Sequence, residues 1–129
     1  MSTIGLLFSS KDNALVDKLR VHFAMLRRQG HSIVETLTYD DIEEVDVLLI
    51  FLSPYFLDKE LLIDLSLNAL DQHKRIVPLI LRDINRNSVP GTIINRQCLP
   101  RNGKPVVRQD VDRAFSEISS EISKIIGER

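Results

Sequence analysis

The sequence predicts an α/β domain built on a parallel sheet with helices on both faces. Short continuous apolar runs at Ile4 to Phe8, Val47 to Leu52 and Ile76 to Leu81 read as strands buried on both sides. Stretches with apolar residues at helical spacing follow them. Ser53-Pro54 comes directly after the middle run, and Ser at a cap with Pro at the first helical position is a helix start. Pro lacks an N–H that would have no partner there.

Taken in order, Ile4 to Phe8 is the first strand, and polar Ser9-Ser10-Lys11-Asp12 leads into a helix. Leu15, Leu19, Phe23 and Leu26 form its apolar stripe, with Arg27-Arg28 in the last turn and Gly30 just beyond. Ile33, Val34 and Leu37 read as a second strand and Val47 to Leu52 as the third. A leucine-rich helix from Tyr55 to His73 and a fourth strand, Ile76 to Leu81, come next. Pro78 inside that strand points to an edge position. The stretch from Leu81 to Gln109 has no clear period; a short strand is expected around Cys98-Leu99 and a helical turn near Ile93-Ile94. The helix from Asp110 onward carries Val111, Ala114, Phe115, Ile118, Ile122 and Ile125 on one face. With right-handed crossovers, a flavodoxin-like five-stranded sheet in the order 2-1-3-4-5 fits this count.

The 129 residues read as one domain, 1–129, large enough for a single core. Hydrophobic content of 43% against 27% charged residues is that of a globular protein. A net charge of −1 argues against nucleic acid or an anionic membrane as partner. Cys98 stands alone, which excludes an internal disulfide, and His22, His31 and His73 are scattered, so no metal site is expected. The start lacks a basic leader and no apolar run approaches ~18 residues, from which a cytoplasmic location is expected.

Four segments together resemble the bacterial branch of the Toll/interleukin-1 receptor (TIR) domain family. Phe8 to Asp12 is similar to its aromatic-Ser-x-Lys-Asp opening of the first helix, and Ser53-Pro54-Tyr55-Phe56-Leu57 to its Ser-Pro-x-Phe-Leu. Leu99 to Val106 is similar to Leu-Pro-x-x-Gly-Lys-Pro-Val, and Asp112-Arg113-Ala114-Phe115 to the start of the last helix. The resemblance implies the flavodoxin-like order and a Val-Ile-Pro-Val-like fourth strand. It also implies one of two functions, NAD cleavage or non-catalytic self-association, and a bacterial defence or signalling setting.

The sequence departs from that family in two places. Only Thr38 to Val45 joins the second and third strands, where the family has a longer, glycine-bearing segment that helps close over the nucleotide. A parallel crossover normally needs a dozen or more residues, so this one is squeezed to a turn or a minimal helix. Second, the alignment puts Ser66 where NAD-cleaving members carry a glutamate. On a helix Asp64 lies about 160° and Glu60 about 120° around from Ser66, so neither reaches the same point without a change of register. A neutral hydroxyl supplies neither the acid–base work nor the anionic stabilisation of a carboxylate. No catalytic residue and no cofactor are therefore expected. The alternative is an NAD glycohydrolase using Asp64 or Glu60.

The remaining signals concern contacts. The helix after Ser53 carries an acidic stripe (Glu60, Asp64, Asp71) and two apolar faces, Leu57/Leu61/Leu65/Ala69 and Phe56/Ile63/Leu67/Leu70. A sheet covers one; the other, with Leu61 or Leu67, needs a neighbouring helix or another molecule. Charge is segregated too. Glu35 to Asp46 holds Asp40, Asp41, Glu43 and Glu44 with no Lys or Arg, while Arg96, Arg101 and Lys104 populate the later connection. Unlike patches on one molecule permit head-to-tail association with itself or another TIR-like protein. A receiver domain would need an Asp where Ser53 ends the third strand. A P-loop, a G-x-G-x-x-G and a nucleophile elbow are absent from the sequence.

Overall fold

The computed structural model describes residues 2–127. Its sheet contains β1 (Thr3–Leu7), β2 (Ser32–Glu35), β3 (Val47–Leu52) and β4 (Arg75–Ile80), all parallel, in the order β2-β1-β3-β4. The helices are α1 (Asn13–Val21), α2 (Ala24–Arg28), α3 (Tyr39–Glu44), α4 (Pro54–Leu57), α5 (Glu60–Asp71), α6 (Gly91–Ile94) and α7 (Val111–Gly127).

The two faces of the sheet make two cores. All six residues of β3 are buried, and they alternate. Val47, Leu49 and Phe51 face Leu19, Phe23, Phe115, Ile118 and Ile122 of the α1–α2 and α7 layer. Leu48, Ile50 and Leu52 face Ile42, Phe56, Leu65, Ala69 and Ile93 on the other side. Each such side chain contributes about 1.5–3 kcal/mol on burial.

The five-stranded expectation is corrected to four. Among the described residues a single bridge, Leu79↔Leu99, stands where a fifth strand would run. Pro78 explains this. Its carbonyl accepts from Leu99 N–H at 2.9 Å, and Ile80 N–H donates to the Leu99 carbonyl at 2.8 Å, so residues 78 and 80 face the outer edge. The next bond back would run from Pro78 to the Gln97 carbonyl, and Pro has no N–H to give. Going forward, the turn closed by Gly103 N–H on the Pro100 carbonyl (3.0 Å) leads the chain away.

The helix expected from Tyr55 to His73 is two helices, broken at Asp58-Lys59, where Lys59 is extended. In one continuous helix Phe56 and Leu65 would stand about 180° apart. Both are fully buried in the same core, which only a break allows. The first helix is likewise interrupted, at His22-Phe23. The squeezed crossover forms the six-residue α3, capped reciprocally by Thr38 and Asp41. It packs on β1 and α5. Gly5 makes this possible, since a Cβ there would stand 2.7 Å from Val45 Cγ1 and would also meet Thr36 Oγ1. The turn near Ile93-Ile94 is α6. Among the described residues no helix is long and apolar enough to cross a membrane.

Candidate functional site

In open parallel sheets ligands favour the crevice beyond the carboxyl ends of the strands, where the strand order reverses. Here that place lies between β1 and β3, and a buried polar network fills it. The Asp12 carboxylate has no exposed surface; it accepts the Ser53 hydroxyl proton and, at 2.7 Å, the Arg82 Nε–H. The Ser53 oxygen also accepts Phe56 N–H at 3.1 Å, capping α4. Above the network the Tyr55 ring lies between Lys11 Nζ, 5.3 Å from its centroid, and the Arg82 guanidinium at 5.6 Å. The sequence marked Ser53 as a helix cap and as part of the Ser-Pro-x-Phe-Leu resemblance, not as a partner of Asp12 and Arg82. The network joins loops far apart in the chain, so no local signal points to it.

A depression of about 340 Å³ lies beside Pro54, Leu57, Asp83 and Ile84, and two smaller ones flank the crevice. One of about 190 Å³ lies between Phe8, Ser10 and Lys59, Leu61, Leu62. The other, about 240 Å³, is bounded by Phe8, Asn13, Glu35 and Leu37. Both are smaller than the roughly 300–1,000 Å³ of small-molecule sites. Neither is lined by Glu60, Asp64 or Ser66. Ser66 is buried and donates to the Leu62 carbonyl at 2.9 Å, while Glu60 and Asp64 are exposed. Leu61 is 53% exposed, and Leu67 is half-buried against the second core. No group of three or more His, Cys, Asp or Glu side chains among the described residues is placed to hold a metal ion.

A larger cleft of about 660 Å³ lies outside β4, where the fifth strand falls short. Lys74, Arg75, Arg96, Arg101 and Lys124 line it, over a floor of Leu70, Ile76, Val77 and Ile125. The structure thus brings Arg96 and Arg101 together and leaves Lys104 outside that lining. Lys74 and Lys124 were missed in the sequence because they come from distant segments. Arg101 Nε donates to Glu121 at 2.7 Å, and this bond, against slight desolvation, holds the Glu121 carboxyl below its ordinary pKa.

The acidic stretch forms α3, which packs against α5. Asp40, Glu43 and Glu44 are exposed, beside Leu37 and Tyr39, which are 60% and 47% exposed. Asp41 is partly committed, accepting the N–H groups of Leu37 (2.8 Å) and Thr38 (3.0 Å). The Leu37 bond is the main cause of its lowered pKa. At the lower end of the helix Lys74 Nζ reaches the Glu43 carbonyl at 3.0 Å.

No family model matches the chain. An uncharacterized protein of Sinorhizobium fredii, y4lF, is 26% identical over 147 aligned residues, which take in 98% of this chain. The chain spans 44% of that relative's length. Among solved structures, the TIR domain of the Toll-related receptor TRR-2 from Hydra magnipapillata superposes with a TM-score of 0.58 at 18% identity. That match covers 89% of this chain and 98% of the Hydra domain. Four parallel strands in the order 2-1-3-4, the helices on both faces and this superposition give the chain a TIR-like fold.

Proposed function

We propose that this domain is a TIR-like association module that joins copies of itself, or another TIR-like protein, head to tail in a bacterial signalling or defence system. One observation carries the reading: carboxylates gather on α3 while cations gather in the cleft outside β4. Unlike surfaces on one molecule make heterologous contacts, which yield rings or filaments. Exposed Leu37 and Tyr39 beside the carboxylates supply apolar area, which matters because exposed ion pairs contribute only about 0.2–1 kcal/mol each. The inward hydroxyl of Ser66 supports an absence of NAD cleavage.

Analytical ultracentrifugation tests the association. The sedimentation coefficient should rise with protein concentration at low salt. It should fall back toward the monomer value at 1 M salt, where the Debye length drops to ~3 Å. A monomer at every concentration and salt would reject the reading, and association that strengthens with salt would reject its electrostatic basis.

A further inference from the structure

The cleft outside β4 is lined by Arg75, at the start of β4, and by four further cations from separate pieces of chain. Lys74 comes from the α5–β4 turn, Arg96 from just past α6, Arg101 from the turn after Leu99, and Lys124 from α7. Among the described residues no carboxylate lines it. Glu121, whose side chain is 18% exposed, lies behind the wall, 2.7 Å from Arg101 and 3.5 Å from Lys124. Lys74 and Arg96 instead donate to neutral carbonyls, those of Glu43 and Thr92, each at 3.0 Å. Among the described residues the cations lining the cleft thus outnumber the one carboxylate behind its wall, and an entering anion would relieve their mutual repulsion.

The shape narrows the choice of anion. A volume of about 660 Å³ lies in the range of small-molecule sites and exceeds what one sulfate or phosphate needs. Ile76, Val77, Leu70 and Ile125 offer an apolar floor to a flat or aliphatic group. Ile76 lies two residues before Pro78, on the same outward side of the edge, so its backbone N–H and C=O face the cleft. A concave site of this size suits a compact ligand better than a lipid surface. The neighbouring acidic α3 disfavours a long nucleic acid, which needs an extended basic track.

We propose that this cleft binds a soluble oligophosphate of nucleotide size, its phosphates between Lys74, Arg96 and Lys124 and its non-phosphate part over Ile76 and Ile125. This goes beyond association. Only one corollary rests on the association reading: where copies join through this cleft, the ligand displaces the neighbour.

The test is calorimetric titration of dilute protein at 0.1 M salt with ATP, inorganic tripolyphosphate and adenosine. Both phosphate ligands should bind with one-to-one stoichiometry, and adenosine far more weakly. Lys124→Ala and Arg96→Ala should each weaken ATP by about tenfold, the loss of one charge-assisted hydrogen bond. Lys104→Ala, outside the cleft, should leave it unchanged. Because Lys124 is 70% exposed, its variant should fold, which circular dichroism checks. No heat with ATP or tripolyphosphate at millimolar concentration overturns the proposal, as does an equal loss in Lys104→Ala. Capture by phosphoinositide vesicles or RNA without binding of soluble ATP also overturns it. Sedimentation of the same samples separates the two ideas: ATP binding by a strict monomer sinks association alone, and salt-sensitive association without ATP binding sinks the oligophosphate site alone.

Discussion

Arg82 Nε donates to Asp12 Oδ1 at 2.7 Å, tying together residues 70 apart in the chain. The carboxylate is fully buried and the Arg82 side chain one-third exposed. Removing one partner of a buried pair costs about 3–5 kcal/mol, and screening at the exposed guanidinium lowers that. Arg82→Ala should therefore lose about 2–3 kcal/mol in urea denaturation. Asp12→Asn with Arg82→Ala should lose less than the two single changes added together. Full additivity would show that the pair does not hold the strand ends.

The close approach of α3 at Gly5 gives a second expectation. Gly5→Ala should destabilise the domain by about 1–3 kcal/mol through overpacking against Val45 and Thr36. Combined with Val45→Ala, the penalty should shrink by about 1 kcal/mol relative to the sum of the two. A neutral Gly5→Ala would mean that the crossover sits further from β1.

Acid stability should depend on Asp41. Its folded-state pKa is depressed below 3.8, chiefly by the Leu37 N–H. The stabilisation is complete above the unfolded value, and it is lost as pH falls through the folded one. As pH falls below the ordinary carboxylate range, the decline in unfolding free energy should be shallower in Asp41→Asn, which keeps an acceptor for both N–H groups without a titrating charge. Identical declines would remove Asp41 from the acid limb.

Charge reversal should test orientation as well as attraction. Glu43→Lys with Glu44→Lys should abolish self-association, and so should Lys124→Glu with Arg96→Glu. Mixing the two variant proteins should restore assembly, with the two variants alternating, because the native surfaces complement each other and so do the two reversed ones. Failure of the mixture while the wild type associates would place the contact elsewhere.

With NAD, micromolar protein should release no nicotinamide in a chromatographic assay. Release that disappears in Asp64→Ala or Glu60→Ala would establish the enzyme instead.

Much of this frame was legible from residue order alone. β1, β3, β4 and α7 announce themselves because each has an uninterrupted apolar pattern. The break at Asp58-Lys59 was half legible. Two apolar faces on one helix are what Phe56 and Leu65 present when a kink turns both toward one core. The segregation of charge was also readable. Which cations meet was not, since Lys74 and Lys124 join Arg96 and Arg101 only through the fold. Asp12 and Ser53 each stood in a family-like motif, but that they meet each other and Arg82 in one buried network was not readable for the same reason.

Pro78 has a consequence for the life of the molecule in a crowded solution. An uncovered strand border is a template onto which any passing extended chain can graft itself, and such grafting is how soluble sheets turn into precipitates. A ring nitrogen with no hydrogen, set outward at the middle of β4, takes away the donor such a chain would need there. The same substitution that would lengthen the sheet toward five strands, Pro78→Val, would therefore also remove a guard against uncontrolled sticking.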